Sequence, residues 1–87
     1  MSTSVREDED FVFSISPNPV AGVLYVTLDK AKPLTCIMSN VSGITVHHSK
    51  HLERTIDIDI NDLQSGIYFI TIVDSEGRRV SHKFIKI

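Results

Sequence analysis

The chain has 87 residues, 41% of them hydrophobic, with a formal net charge of -2. A chain of this length forms one domain and hides only roughly 60–65% of its unfolded surface, so it builds a single small core. The charge gives no electrostatic reason to bind nucleic acid or an anionic membrane, and no apolar run is long enough to span a bilayer.

Residues 1–10, MSTSVREDED, show no apolar period and end in four consecutive acidic residues. They read as a solvated linker, and residues 11–87 as the domain. No charged-then-apolar secretory leader is recognisable, so an export signal of that kind would belong to another part of a longer parent. From Phe11 the pattern alternates, with Phe11, Phe13 and Ile15 on one face, as in a half-buried strand. Pro17-Asn18-Pro19 stops it, because proline lacks a donor and pushes the residue before it toward extended geometry.

Gly22 opens a second strand over residues 23–28, with Leu24, Val26 and Leu28 inward. A third follows over about 34–39, where Leu34, Cys36 and Met38 form the core face although Ile37 blurs the alternation. Cys36 is the sole cysteine, so the domain has no internal disulfide, and it reads as a small buried apolar residue. Asn40-Val41-Ser42-Gly43 and Asp74-Ser75-Glu76-Gly77 share one design, Asn or Asp first and Gly fourth. That suits a type I turn followed by Gly at a bulge position of positive φ, hence two hairpins.

Residues 44–49 make the return strand and 50–54 a loop. Thr55 to Ile60 then alternates cleanly, with Ile56, Ile58 and Ile60 inward and Asp57 and Asp59 outward. Beyond Leu63 and the Ser65-Gly66 stop, residues 67–73 have the composition of a central strand, with Tyr68, Ile70 and Ile72 on one face. Tyr68 just after a tight turn predicts a tyrosine corner, its hydroxyl returning to backbone near Leu63. Residues 80–87 form the last strand, Val80 and Phe84 inward, and the adjacent Phe84 and Ile85 require a bulge or an apolar outer face. About seven strands with no helical period predict an all-β, antiparallel, immunoglobulin-like sandwich.

Little in the chain points to chemistry. His47, His48 and His51 lie close together, but strand neighbours face opposite sides, so they read as hairpin surface and not as a metal site. Asp57, Asp59, Asn61 and Asp62 lack the central Gly and closing Glu of a calcium loop. No nucleophile elbow and no phosphate-cradling glycine loop appears. No catalytic, cofactor or metal residue is therefore assigned. Arg78, Arg79, Lys83 and Lys86 make the last hairpin basic, which fits edge protection and a docking surface equally.

Ile15-Ser16-Pro17-Asn18-Pro19-Val20, Leu24-Tyr25-Val26, the Gly43 hairpin, Ile58-Asp59-Ile60, the run Leu63 to Ile70, Gly77 and Lys83-Phe84-Ile85-Lys86 occur in an order and spacing that resembles the C-terminal sorting domain of the type IX (Por) secretion system of Bacteroidetes. The resemblance covers about residues 11–87. It implies a non-catalytic signal that carries an upstream cargo from the periplasm through the outer-membrane translocon to the cell surface or medium, with removal by a surface sortase. It implies scaffold roles for Pro17, Asn18, Pro19, Gly43, Leu63, Gly66, Tyr68 and Gly77, and translocon recognition by Lys83, Phe84, Ile85, Lys86 and Ile87. Ser16 stands where an aromatic residue is common, and Ile87 follows the lysine that often ends such domains. Strand addition at an exposed edge of the last strand is the expected mode of recognition. Exposed apolar edges also point to a homodimer of the isolated domain. The alternative class is an immunoglobulin-like accessory module that binds carbohydrate or protein, for which Tyr25 is the one exposed aromatic platform the sequence offers.

Overall fold

The computed structural model describes residues 12–87; Phe11 and the expected linker before it lie outside the described residues. Seven strands follow one another: β1 Phe13–Ser16, β2 Val23–Leu28, β3 Leu34–Asn40, β4 Thr45–His51, β5 Thr55–Asp59, β6 Gly66–Asp74 and β7 Arg79–Lys86. They form a three-stranded sheet of order β1-β2-β5 and a four-stranded sheet of order β4-β3-β6-β7, every pairing antiparallel. The fold is an immunoglobulin-like β-sandwich.

Alternation decides which side chains enter the core. β2 contributes Leu24, Val26 and Leu28, β5 Ile56 and Ile58, β3 Leu34, Cys36 and Met38, and β6 Tyr68, Ile70 and Ile72. Phe13, Val20, Ile60 and Phe84 complete the interior. Ile37 points to the outer side of the four-stranded sheet, opposite His48 and Thr71, which explains why it blurs the period without shifting the register. β7 runs without a bulge against β6, so Ile85 is turned outward and the sheet has the apolar outer face that its sequence left as one of two options.

Both hairpins close alike. Asn40 Oδ1 accepts from the backbone N–H groups of Ser42 and Ile44 at 2.9 and 3.1 Å, and Asp74 Oδ1 accepts from those of Glu76 and Arg78 at 3.0 and 2.9 Å. Gly43 and Gly77 follow at φ 84° and 85°, the left-handed region that a side chain resists. The expected tyrosine corner is present: the Tyr68 hydroxyl donates to the Gln64 carbonyl at 2.7 Å while the ring stacks on Phe84, centroids 5.6 Å apart.

The return strand is longer than the sequence indicates. β4 continues to His51, and residues 50–51, assigned above to a loop, pair with Thr35 and Leu34. The cause lies in β4's composition: its inward side carries His47, Ser49 and His51 opposite Met38, Cys36 and Leu34, so hydrophobic alternation gives no signal there.

Candidate functional site

The segment singled out for recognition, Lys83 to Ile87, is split by the sheet into two sides. Phe84 and Lys86 turn inward and are buried, whereas Lys83, Ile85 and Ile87 are exposed on the other side. The buried Lys86 ammonium donates to the Ile87 carbonyl at 3.0 Å.

Pro17-Asn18-Pro19-Val20 holds this segment from the side. After β1 ends, the chain crosses to the outer edge of β7, where Val20 forms a parallel bridge with Lys86. Val20 N–H donates to the Ile85 carbonyl at 2.8 Å, and Ile87 N–H donates to the Val20 carbonyl at 2.9 Å. Asn18 supplies what a neighbouring strand would: its Oδ1 accepts from Ile85 N–H at 3.0 Å, and its Nδ2 makes a longer contact of 3.5 Å with the Lys83 carbonyl. A proline cannot donate to such a ladder, so the asparagine side chain and Val20 make the bonds. Val20 is itself buried and plugs that end of the sandwich. Higher on the same edge His82 Nε2 lies 3.2 Å from the Phe13 carbonyl, with the two rings edge to face.

The outer edge of β7 therefore does not stand open at Ile85 and Ile87, contrary to the expectation of an exposed edge. The missed signal was the asparagine between two prolines, whose amide is the one group in that tripeptide able both to donate and to accept through its side chain.

The remaining candidates fall elsewhere. Gly43 and Gly77 sit in the two hairpin turns, and Leu63 packs, half-buried, against the core before Gly66 begins β6. His48 faces outward as expected of a hairpin surface. His47 and His51 do not: they lie on the core side of β4, half-buried, and share the Ser49 hydroxyl, His47 Nε2 at 2.9 Å and His51 Nε2 at 2.7 Å. Burial, reinforced by the neighbouring His51 and His48, lowers the His47 pKa below its ordinary 6.5. Among the described residues no group of three or more His, Cys, Asp or Glu could hold a metal ion.

Asp74 lies buried beneath the last hairpin. Burial alone would raise its carboxyl, but the N–H groups of Arg78 and Glu76 and the Arg78 guanidinium, 3.0 Å away, outweigh that and hold it below the usual range. Lys32 adds a second cation at 3.6 Å. Cys36 is buried and free, and desolvation pushes its thiol up to about 12, which makes it an inert core residue. Tyr25 is exposed as expected, but Phe69 is an exposed aromatic too. The two stand on the outer faces of opposite sheets and cannot form one stacking platform.

The model of the secretion system C-terminal sorting domain family matches residues 14–87. The chain belongs to that family, and it is a C-terminal sorting signal of type IX secretion. Among solved structures, one similar chain is that of PorZ, a bacterial surface component of the type IX secretion system of Porphyromonas gingivalis. The TM-score is 0.66 at 13% identity, over 91% of this chain and 12% of that one, a likeness of fold. No curated protein matches the sequence.

Proposed function

We propose that this domain is the handle by which an attached cargo is delivered through the outer-membrane type IX translocon from the periplasm to the cell surface, where a sortase removes it. The domain contributes recognition and no chemistry. The observation that carries this reading is the presentation of Lys83–Ile87: a strand fixed on one side by β6 and on the other by Asn18 and Val20, displaying Lys83, Ile85 and Ile87 in a constant geometry. A translocon that handles unrelated cargoes needs a feature held constant whatever precedes it, and this strand supplies shape and charge together.

The test fuses the whole chain behind a secretory leader and a fluorescent passenger, in a type IX-competent strain and in one with the translocon disrupted. The expected result is passenger in the surface or medium fraction of the first strain alone, with a mass lacking the domain. Passenger retained in the periplasm of both strains would refute the sorting role. Exported passenger still carrying the domain would refute the sortase step.

A further inference from the structure

The two outer faces of the sandwich differ in charge. Outward on the three-stranded sheet stand Asp57 and Asp59, and its strands contain no Lys or Arg. Outward on the four-stranded sheet stand Lys50, Arg79 and Lys83. The four strands of that sheet contain one acidic residue, Asp74, and it is buried. At the β6–β7 end the basic face is also apolar. Ile67 pairs with Ile85 and Phe69 with Lys83, leaving Ile67 44%, Ile85 40% and Phe69 37% exposed, beside Ile87. A contiguous apolar cluster on a small monomer marks an interaction surface far more often than scattered single residues do.

Edge occupancy limits how a partner can bind this region. Strand addition needs unpaired N–H and C=O groups, and at Ile85 and Ile87 Asn18 and Val20 already take them. At Ile85 and Ile87 the segment is left with its outer-face side chains to offer a partner.

We propose that the signal is recognised through the outer face of the four-stranded sheet at its β6–β7 end, and that the partner is a protein surface with an apolar centre and a carboxylate rim. The proposal rests on the sorting-signal reading above and names the partner's chemistry. Ile67, Phe69 and Ile85 form the centre that excludes water, and Lys83, with Arg79 beyond it, meets the acidic rim. Phe84 and Lys86, on the other side of the strand, act by holding it in place.

The experiment uses the passenger fusion in the competent strain with Lys83→Glu and Phe69→Ser, and with Asp57→Lys and Thr27→Glu on the opposite face. All four sites are exposed or at the exposed boundary, and thermal unfolding of each purified domain reports whether the fold survives. The expected result is a fall of about tenfold in delivered passenger for Lys83→Glu and Phe69→Ser, the loss that removing one substantial interface contact gives, and delivery near the unsubstituted level for the other two. Delivery by folded Lys83→Glu at the unsubstituted level overturns the proposal, as does an equal loss from both faces. Self-association of the purified domain abolished by both Lys83→Glu and Asp57→Lys would make the occupant a second copy stacked acidic face on basic face, and also overturns it. Retention of the unsubstituted fusion is a separate outcome and refutes the sorting reading itself.

Discussion

Tyr68 joins the turn before β6 to the core, because its ring is buried against Phe84 while its hydroxyl satisfies the Gln64 carbonyl. Tyr68→Phe keeps the ring and removes one part-buried hydrogen bond, so chemical denaturation should show a loss of about 1 kcal/mol with unchanged cooperativity. An unchanged midpoint would mean that the corner is ornamental. His47 gives a pH dependence of known sign. Its folded pKa is lowered, so the unfolded chain binds the proton more readily, and the stability contributed by neutral His47 is present above pH 6.5 and is lost as pH falls through the folded value. Urea midpoints should decline from pH 7 to 5 in the natural domain and decline less in His47→Asn. Equal slopes in both would remove His47 as the cause. The burial of His47 was not legible in the sequence, where three histidines near a hairpin read as solvated. Nothing in residue type says that β4 is the edge strand of the larger sheet and carries half-buried polar groups on its inner side.

At the scale of the element, the two hairpins are a matched pair whose turn chemistry could be read directly: Asn40 and Asp74 accept the same two N–H groups, and a glycine follows at positive φ. Gly77→Ala and Gly43→Ala should each cost about 1 kcal/mol or more, since neither meets a neighbouring atom and the penalty comes from backbone conformation alone. Thermal unfolding of the two variants checks this. β2 was legible to its ends because both of its boundaries carry turn residues and its alternation is unbroken. β4 was not, since its polar inward side hides the period. The Asn18 clamp was not either, because it joins residues 67 positions apart through a side chain. Asn18→Ala removes the acceptor of Ile85 N–H, so hydrogen exchange at that amide should speed markedly while exchange at Ile70 and Ile72 stays as it was. Unchanged exchange at Ile85 would show that the clamp does not hold in solution.

On the scale of the molecule, the sandwich needs the segment proposed for recognition. Phe84 is fully buried, and Val20 is buried beside β7, so cutting away Lys83–Ile87 would open the core as well as remove the displayed side chains. A large buried aromatic lost from a core costs about 3–5 kcal/mol, a large share of what a domain this size holds. Truncation therefore cannot separate a lost signal from a lost fold, whereas outward substitutions can. The sandwich itself and the role of the chain as a sorting signal were readable in advance, because strand period, turn residues and motif order agree with one another. The charge asymmetry of the two faces emerged only once the strands were distributed between sheets.

The most direct measurement is protease shaving of intact cells that express the passenger fused to the whole chain, with and without a working type IX translocon. Passenger should be digested by external protease only where the translocon works, and protected inside the envelope where it does not. Passenger protected in both strains would contradict it.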